Sequence, residues 1–290
     1  MNSITRIIWL SLNLFFGAPL ACLLFAWAAC DMQVPLDIKD FTSTYLPIFN
    51  PIFDVPYVHI NQVSDSIIAK LIFNAFLVAI FGFMHTLFAQ EFVHNILSRF
   101  LFPKQALRTV YCMITSMTAF IIIGFWQHTH IQLWNFLPKT MNIYQQQHIL
   151  LILYSIIFIP AWYVIIKFNP FEFCGVKQIF GQSENSKCPF SSSSVSISED
   201  RTTGTPALIT SGLFRLCRHP LYLFTILAWA ITPVMSLDRL VFIIYICLYA
   251  LIGIPVEERK LVQIFGQAYV NYQKHVPAIF PVSITKTKQN

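Results

Sequence analysis

Six long apolar runs set the terms on which this chain can fold, at about residues 7 to 29, 67 to 88, 109 to 126, 148 to 168, 220 to 236 and 239 to 256. The hydrocarbon core of a bilayer is about 30 Å thick, and roughly 20 apolar residues of helix cross it with every backbone polar group bonded internally. The last two runs are short and joined only by Ser236-Leu237-Asp238, so they read as one tight helical hairpin. Composition points the same way: 56% of the 290 residues are hydrophobic, 11% are charged and 28 are phenylalanine, an excess that a soluble core does not need. The first run is too long for the apolar region of a signal peptide and no clear small-x-small cleavage site follows it before the acidic segment beginning at Asp31, so it is read as a retained span. The expected fold class is all-α: a polytopic membrane protein with about six transmembrane helices and a C-terminal amphipathic cytoplasmic helix.

Lysine and arginine set the orientation. With a cytoplasmic N-terminus, 15 of the 19 basic residues fall on the cytoplasmic side, leaving Lys39, Lys70, Lys139 and Arg239 outside. That asymmetry predicts both termini in the cytoplasm. Topology and anionic lipid then account for the net charge of +6, and no nucleic-acid partner is expected. The seven cysteines are odd in number and contain no CxxC pair, which indicates neither a disulfide framework nor a zinc site. His128 and His130 lack carboxylate or cysteine company in the sequence, so no metal is expected.

The chain divides into an N-terminal helix with an external, proline-punctuated loop (1–66), spans two to four (67–168), a flexible cytoplasmic loop (169–209) and a hairpin followed by the C-terminal helix (210–290). Within the cytoplasmic loop "SENSKCPFSSSSVSISEDRTTG" has low complexity. From Glu257 onward, Leu261, Phe265, Ala268, Tyr269, Tyr272 and Val276 share one helical face, which predicts an amphipathic helix ending near Pro277.

Two short segments carry the chemistry. In "RLCRHPLYLF" (215–224) Pro220 suits the first turn of a helix, which puts His219 at the N-cap and gathers Arg218, His219 and free N–H groups at the membrane surface. Such a place either binds an anion or anchors the helix by positive charge. In "VEERK" (256–260) Glu257 and Glu258 follow the sixth span at the same face. The tight hairpin makes the two segments neighbours. They form either an interfacial salt bridge or a site for a small zwitterion, its carboxylate on the first cluster and its ammonium or ribose hydroxyls on the second, with Tyr222, Tyr269 and Tyr272 as an aromatic wall. His85 lies inside the second span, where an ionisable side chain faces protein or a cavity; it serves either an interhelical hydrogen bond or the reaction. GxGxxG, Walker, HExxH and GxSxG motifs are all missing.

The segment 210–281, with RHPxY, a helical hairpin, EExxLxxxFGxxYxxY and a terminal VPxxxP, resembles the catalytic end of the isoprenylcysteine carboxyl methyltransferase superfamily of integral membrane methyltransferases. Upstream, "GFMHTLFAQ", "RTVY", "FWQ" and "FEFCGVKQIF" resemble the branch containing methanethiol S-methyltransferases and nurim, which extends the likeness to residues 67–281. The resemblance implies S-adenosylmethionine as cofactor, held near Gly212, Leu213, Phe214, His219, Pro220, Leu221 and Tyr222 with Glu257 or Glu258 opposite; the basic cluster and the aromatic wall add Arg218 and Tyr269 as cofactor-binding candidates. Gln178 in "GVKQ" is a further cofactor-binding candidate. Where the family commonly has glycine after the RHPxY tyrosine this chain has Phe224, and its acidic pair and tail tyrosines are intact where nurim-like tails are degenerate.

Attack of a thiolate on a sulfonium removes charge in the transition state, so a water-poor membrane site helps and a dedicated base is not obligatory. His85 is the candidate catalytic residue. Recognition of a prenylcysteine carboxylate is best done by an arginine fork, and no arginine or lysine occurs between Leu240 and Val256. The expected substrate is therefore a small thiol and the expected partner a lipid bilayer. Three alternatives stand beside it: a nurim-like structural membrane protein, an isoprenylcysteine carboxyl methyltransferase, and a transporter, for which intramembrane carboxylates and repeats are wanting. The expected location is a bacterial inner membrane or, in a eukaryote, the endoplasmic reticulum or nuclear envelope, where Lys286 and Lys288 in "KTKQN" resemble a dilysine retrieval signal.

Overall fold

The first apolar run does not form one rod. In the structure, a computed structural model that describes residues 2–33, 40, 44, 65–167, 171, 174–180, 197–199 and 206–280, it is broken into α1 (Ser3–Phe16) and α2 (Ala18–Ala29). Gly17 ends α1, and Pro19, which has no N–H to give a preceding carbonyl, falls in the first turn of α2, where that loss is tolerated. Ser116 Oγ donates to the carbonyl of Gly17 at 2.8 Å, and Asn13 Nδ2 donates to the Cys174 carbonyl at 2.6 Å, fixing the break against the rest of the molecule. Most of the loop at 34–64, the serine-rich patch apart from 197–199, and the two tail lysines lie outside the described residues.

Beyond them the chain is mostly helical. α3 (Ile67–Phe88) is followed by the short α4 (Glu91–Phe100), and α5 (Leu107–Phe125) is entered through a 3-10 turn at Lys104–Ala106. Next come α6 (Ile143–Lys167), the five-residue α7 (Val176–Phe180), α8 (Pro220–Ala230), α9 (Leu237–Phe265) and α10 (Gln267–His275). Four of these helices are long and apolar enough to cross a membrane: α3, α5 with its leading turn, α6 and α9. On α3 the side chains of Ile68, Ile72, Phe76 and Phe83, and on α6 those of Ile152, Ile156, Ile159 and Ile166, are exposed in stripes at helical spacing. An apolar stripe facing outward from a packed bundle suits lipid as its solvent.

Two departures from an all-α chain are small antiparallel ribbons. β1 (Gln132–Asn135) pairs with β4 (Val234–Ser236), and β2 (Ile197–Glu199) with β3 (Pro206–Leu208). The first explains why the expected fifth run stops early. α8 has 11 residues, about 16 Å, too short to span alone, because Val234–Ser236 leave the helix to pair with β1.

The core at this end is aromatic. Phe242 is fully buried, with ring centroids of Trp27, Trp126 and Trp229 at 5.7, 5.8 and 5.3 Å. Buried charge beside it is satisfied, as burial demands. Asp238 accepts from Thr129 N at 3.1 Å and Thr129 Oγ1 at 3.0 Å, while Arg239 donates to the carbonyls of Trp229 at 3.0 Å and Ala29 at 3.1 Å. The fold does bring a carboxylate toward the histidine pair, with Asp238 Oδ2 4.0 Å from His128 Nδ1, but that carboxylate is held by Thr129.

Candidate active site

α9 has 29 residues, about 44 Å at helical rise, more than the hydrocarbon core requires, so its last turns extend past a span and carry Glu257 and Glu258 with them. α8 begins at Pro220 with His219 as its N-cap, and it packs along α6 and against α9. The start of α8 and the end of α9 therefore meet. The chain then turns at Gly266, whose φ of +55° is costly for any residue with a Cβ, and α10 folds back. The continuous amphipathic helix expected from Glu257 is thus two elements. Leu261, Tyr269 and Tyr272 of its apolar face are buried, but Ala268 is exposed.

The residues after α10 close over the histidine turn. The backbone N–H of Arg218 donates to the Pro277 carbonyl and that of His219 to the Ala278 carbonyl, each at 2.9 Å. Arg218 completes the clasp: Nε donates to Glu258 Oε1 at 2.6 Å, and Nη1 donates to the carbonyls of Gln273 at 3.2 Å and of Val276. Carbonyls at a helix C-terminus lack intrahelical partners, and a guanidinium satisfies them. Arg218 thus joins the start of α8 to both the end of α9 and the tail.

Glu258 is the hub. Its Oε1 also meets His219 Nε2 at 3.2 Å and accepts from Tyr269 Oη at 3.4 Å, while Oε2 accepts from Gln273 Nε2 at 2.8 Å. Burial first, and the Glu258 charge second, push the Tyr269 phenol above its usual range, so it remains a donor. Glu257 is different. Its Oε1 accepts from Tyr222 Oη at 3.1 Å, but its Oε2 is buried without a hydrogen-bond partner, and so is Nδ1 of the fully buried His219, 3.7 Å away. A buried polar atom left unbonded costs about 1–3 kcal/mol, so this facing pair is where a polar ligand gains most.

Neighbouring candidates frame the cluster. Gly212 has φ +65° in a 3-10 turn at Gly212–Arg215, and the buried Phe214 offers its carbonyl to Tyr272 Oη at 2.5 Å. Leu213 and Leu221 pack against the buried group of Val164, Phe214, Leu261, Tyr269 and Tyr272. Gln178 sits elsewhere, on α7, which packs against α1 and the Lys104–Ala106 turn. His85 lies on α3 among Phe81, Tyr111, Thr115 and Tyr249. Sequence reasoning missed Gln273, Tyr111 and Tyr249. Tyr249 carried a readable signal, a hydroxyl in an apolar span two turns before Glu257; Gln273 carried none, because its partner is chosen by the fold-back at Gly266.

A family model described as "Protein of unknown function (DUF1295)" matches residues 54–276. Among curated proteins, the chain is 28% identical to the methanethiol S-methyltransferase of Crocosphaera subtropica, over 76% of this chain and 78% of that protein. It is 23% identical to the methanethiol S-methyltransferase of Mycobacterium tuberculosis, over 78% and 84%. A shorter match, 35% identical over 26% of this chain and 39% of the relative, is to protein-S-isoprenylcysteine O-methyltransferase B of Arabidopsis thaliana. No solved structure matches.

Proposed function

From the premise that the chain belongs to the DUF1295 family, we propose that it is an integral membrane methyltransferase that moves a methyl group from S-adenosylmethionine to a small thiol. The carrying observation is the pair of unbonded, buried atoms, His219 Nδ1 and Glu257 Oε2, facing one another where α8, α9 and the folded-back tail meet. The names of the relatives, methanethiol S-methyltransferases over about three quarters of this chain, support the same chemistry.

The residues fit the donor. Glu257 Oε2 is an acceptor for ribose hydroxyls or an α-ammonium, and His219 Nδ1 is a second polar anchor beside it. Tyr222 holds Glu257 by its other oxygen, so the free one has a fixed aim. Arg218, Glu258 and Gln273 act through position, locking the tail over His219. When bound, the sulfonium supplies an electrophilic methyl group. The surrounding apolar helices would exclude water from the site, and so favour a reaction in which opposite charges cancel.

On this reading the charged clasp lies at the cytoplasmic face, both termini are cytoplasmic, the six apolar runs thread the bilayer and the amphipathic tail closes the site. The absence of lysine and arginine between Leu240 and Val256 favours a thiol over a prenylcysteine carboxylate. The test is methyl transfer from S-adenosylmethionine to short alkanethiols by the purified, folded protein, with the thioether measured by gas chromatography. Thioether formation with no methyl ester from a prenylcysteine analogue is the expected result; ester formation alone would reassign the substrate, and no methylated product from either would contradict the proposal.

A further inference from the structure

His85, inside α3, is a polar group that the sulfonium site does not use. His85 stacks on Phe81 with ring centroids 5.7 Å apart, meets Tyr111 at 5.2 Å and takes the edge of Tyr249 at 6.1 Å. The Tyr111 hydroxyl lies 2.9 Å from Nε2 and 3.1 Å from Nδ1, and Thr115 Oγ1 is 3.4 Å from Nδ1. A neutral imidazole has one N–H and one lone pair pointing in diverging directions, so one hydroxyl cannot align with both. With Tyr111 on Nε2, Nδ1 is left with the long 3.4 Å approach of Thr115 Oγ1. His85 is half-buried, as are Tyr249 and Tyr222.

This group adjoins the carboxylate–imidazole cluster. Lys260, three residues past Glu257, donates from Nζ to the carbonyl of Ala89, one turn beyond His85, at 3.3 Å, so the two helix ends run side by side. Tyr222, which holds Glu257, has its ring 5.8 Å from that of His219. The approach of Tyr249 to α3 depends on Gly82: a Cβ there would stand 2.8 Å from Tyr249 Cδ2. Aromatic faces with hydroxyl tips and one imidazole suit a neutral, polarisable molecule with a single weak donor, because sulfur packs well against aromatic rings.

We infer that the aromatic box of Phe81, His85, Tyr111 and Tyr249 binds the methyl acceptor, a small uncharged thiol, with a ring nitrogen of His85 taking its S–H proton. This deepens the methyltransferase reading and rests on it. The S–H bond breaks, the proton passes to the lone pair of His85, and the electron pair stays on sulfur as the thiolate nucleophile. After methylation of that sulfur the proton is released to water.

The test is calorimetric titration of detergent-purified protein with 1-propanethiol in a sealed cell, without cofactor, for wild type, His85→Ala and Gly82→Ala. Binding at least 10-fold weaker in both variants is expected. Equal binding by wild type and His85→Ala, or no binding by wild type, would overturn the inference. S-adenosylhomocysteine is titrated into the same preparations. If all three bind it alike, the variants are folded and the loss is confined to the acceptor box; if wild type binds propanethiol but not S-adenosylhomocysteine, the methyl-donor reading fails while the thiol box stands. A turnover defect of His85→Ala that added imidazole partly restores separates proton acceptance from packing alone.

Discussion

At the scale of single residues, the site combines a saturated carboxylate with an unsaturated one. Glu258 receives donors from Arg218, His219, Tyr269 and Gln273, whereas Glu257 keeps one oxygen unbonded. Adjacent residues of one helix point about 100° apart, which turns one acid to the tail and the other to Tyr222. Arg218→Met is therefore expected to act on stability: it leaves the half-buried Glu258 without its guanidinium, a loss of about 1–3 kcal/mol, read as a lower unfolding midpoint in detergent. An unchanged midpoint would show that the tail is held by other contacts. The meeting of Arg218-His219 with Glu257-Glu258 was legible in the sequence because hairpin connectivity alone forces it. Which acid each base takes was not, since that follows from helix rotation and from where the tail returns.

At the scale of elements, periodicity located the helices and missed their interruptions. The apolar pattern runs unbroken through Gly17 and through Gly266, yet helices end at both, the first just before Pro19 and the second at a positive φ. The fifth run is apolar to residue 236, but its end pairs with β1, and hydropathy does not distinguish a buried strand from a last helical turn. Gly266 gives a direct test of the fold-back. A Cβ there meets nothing within 4 Å, so Gly266→Ala changes only backbone strain. The expected cost is about 1–3 kcal/mol, seen as faster hydrogen exchange across residues 267–280 while α3 and α6 keep their protection. Uniformly faster exchange would mean that the tail and the bundle unfold as one unit.

At the scale of the whole molecule, two ends of a helical bundle do different work. One end is closed by a tryptophan-rich core, a short ribbon and the buried Asp238 and Arg239. At the other lies a charged clasp whose partners come from α8, α9 and the tail. Composition and run length already indicated a membrane protein; the four long helices carry that through, while the broken first run and the short α8 depend on local chemistry that run length ignores. The proposal that His219 and Glu257 hold the methyl donor is tested by calorimetric binding of S-adenosylhomocysteine to wild type, His219→Ala and Glu257→Gln. Saturable binding by wild type and at least a 10-fold loss in each variant are expected. Wild-type affinity in both variants, or no binding by a well-folded wild type, would contradict it.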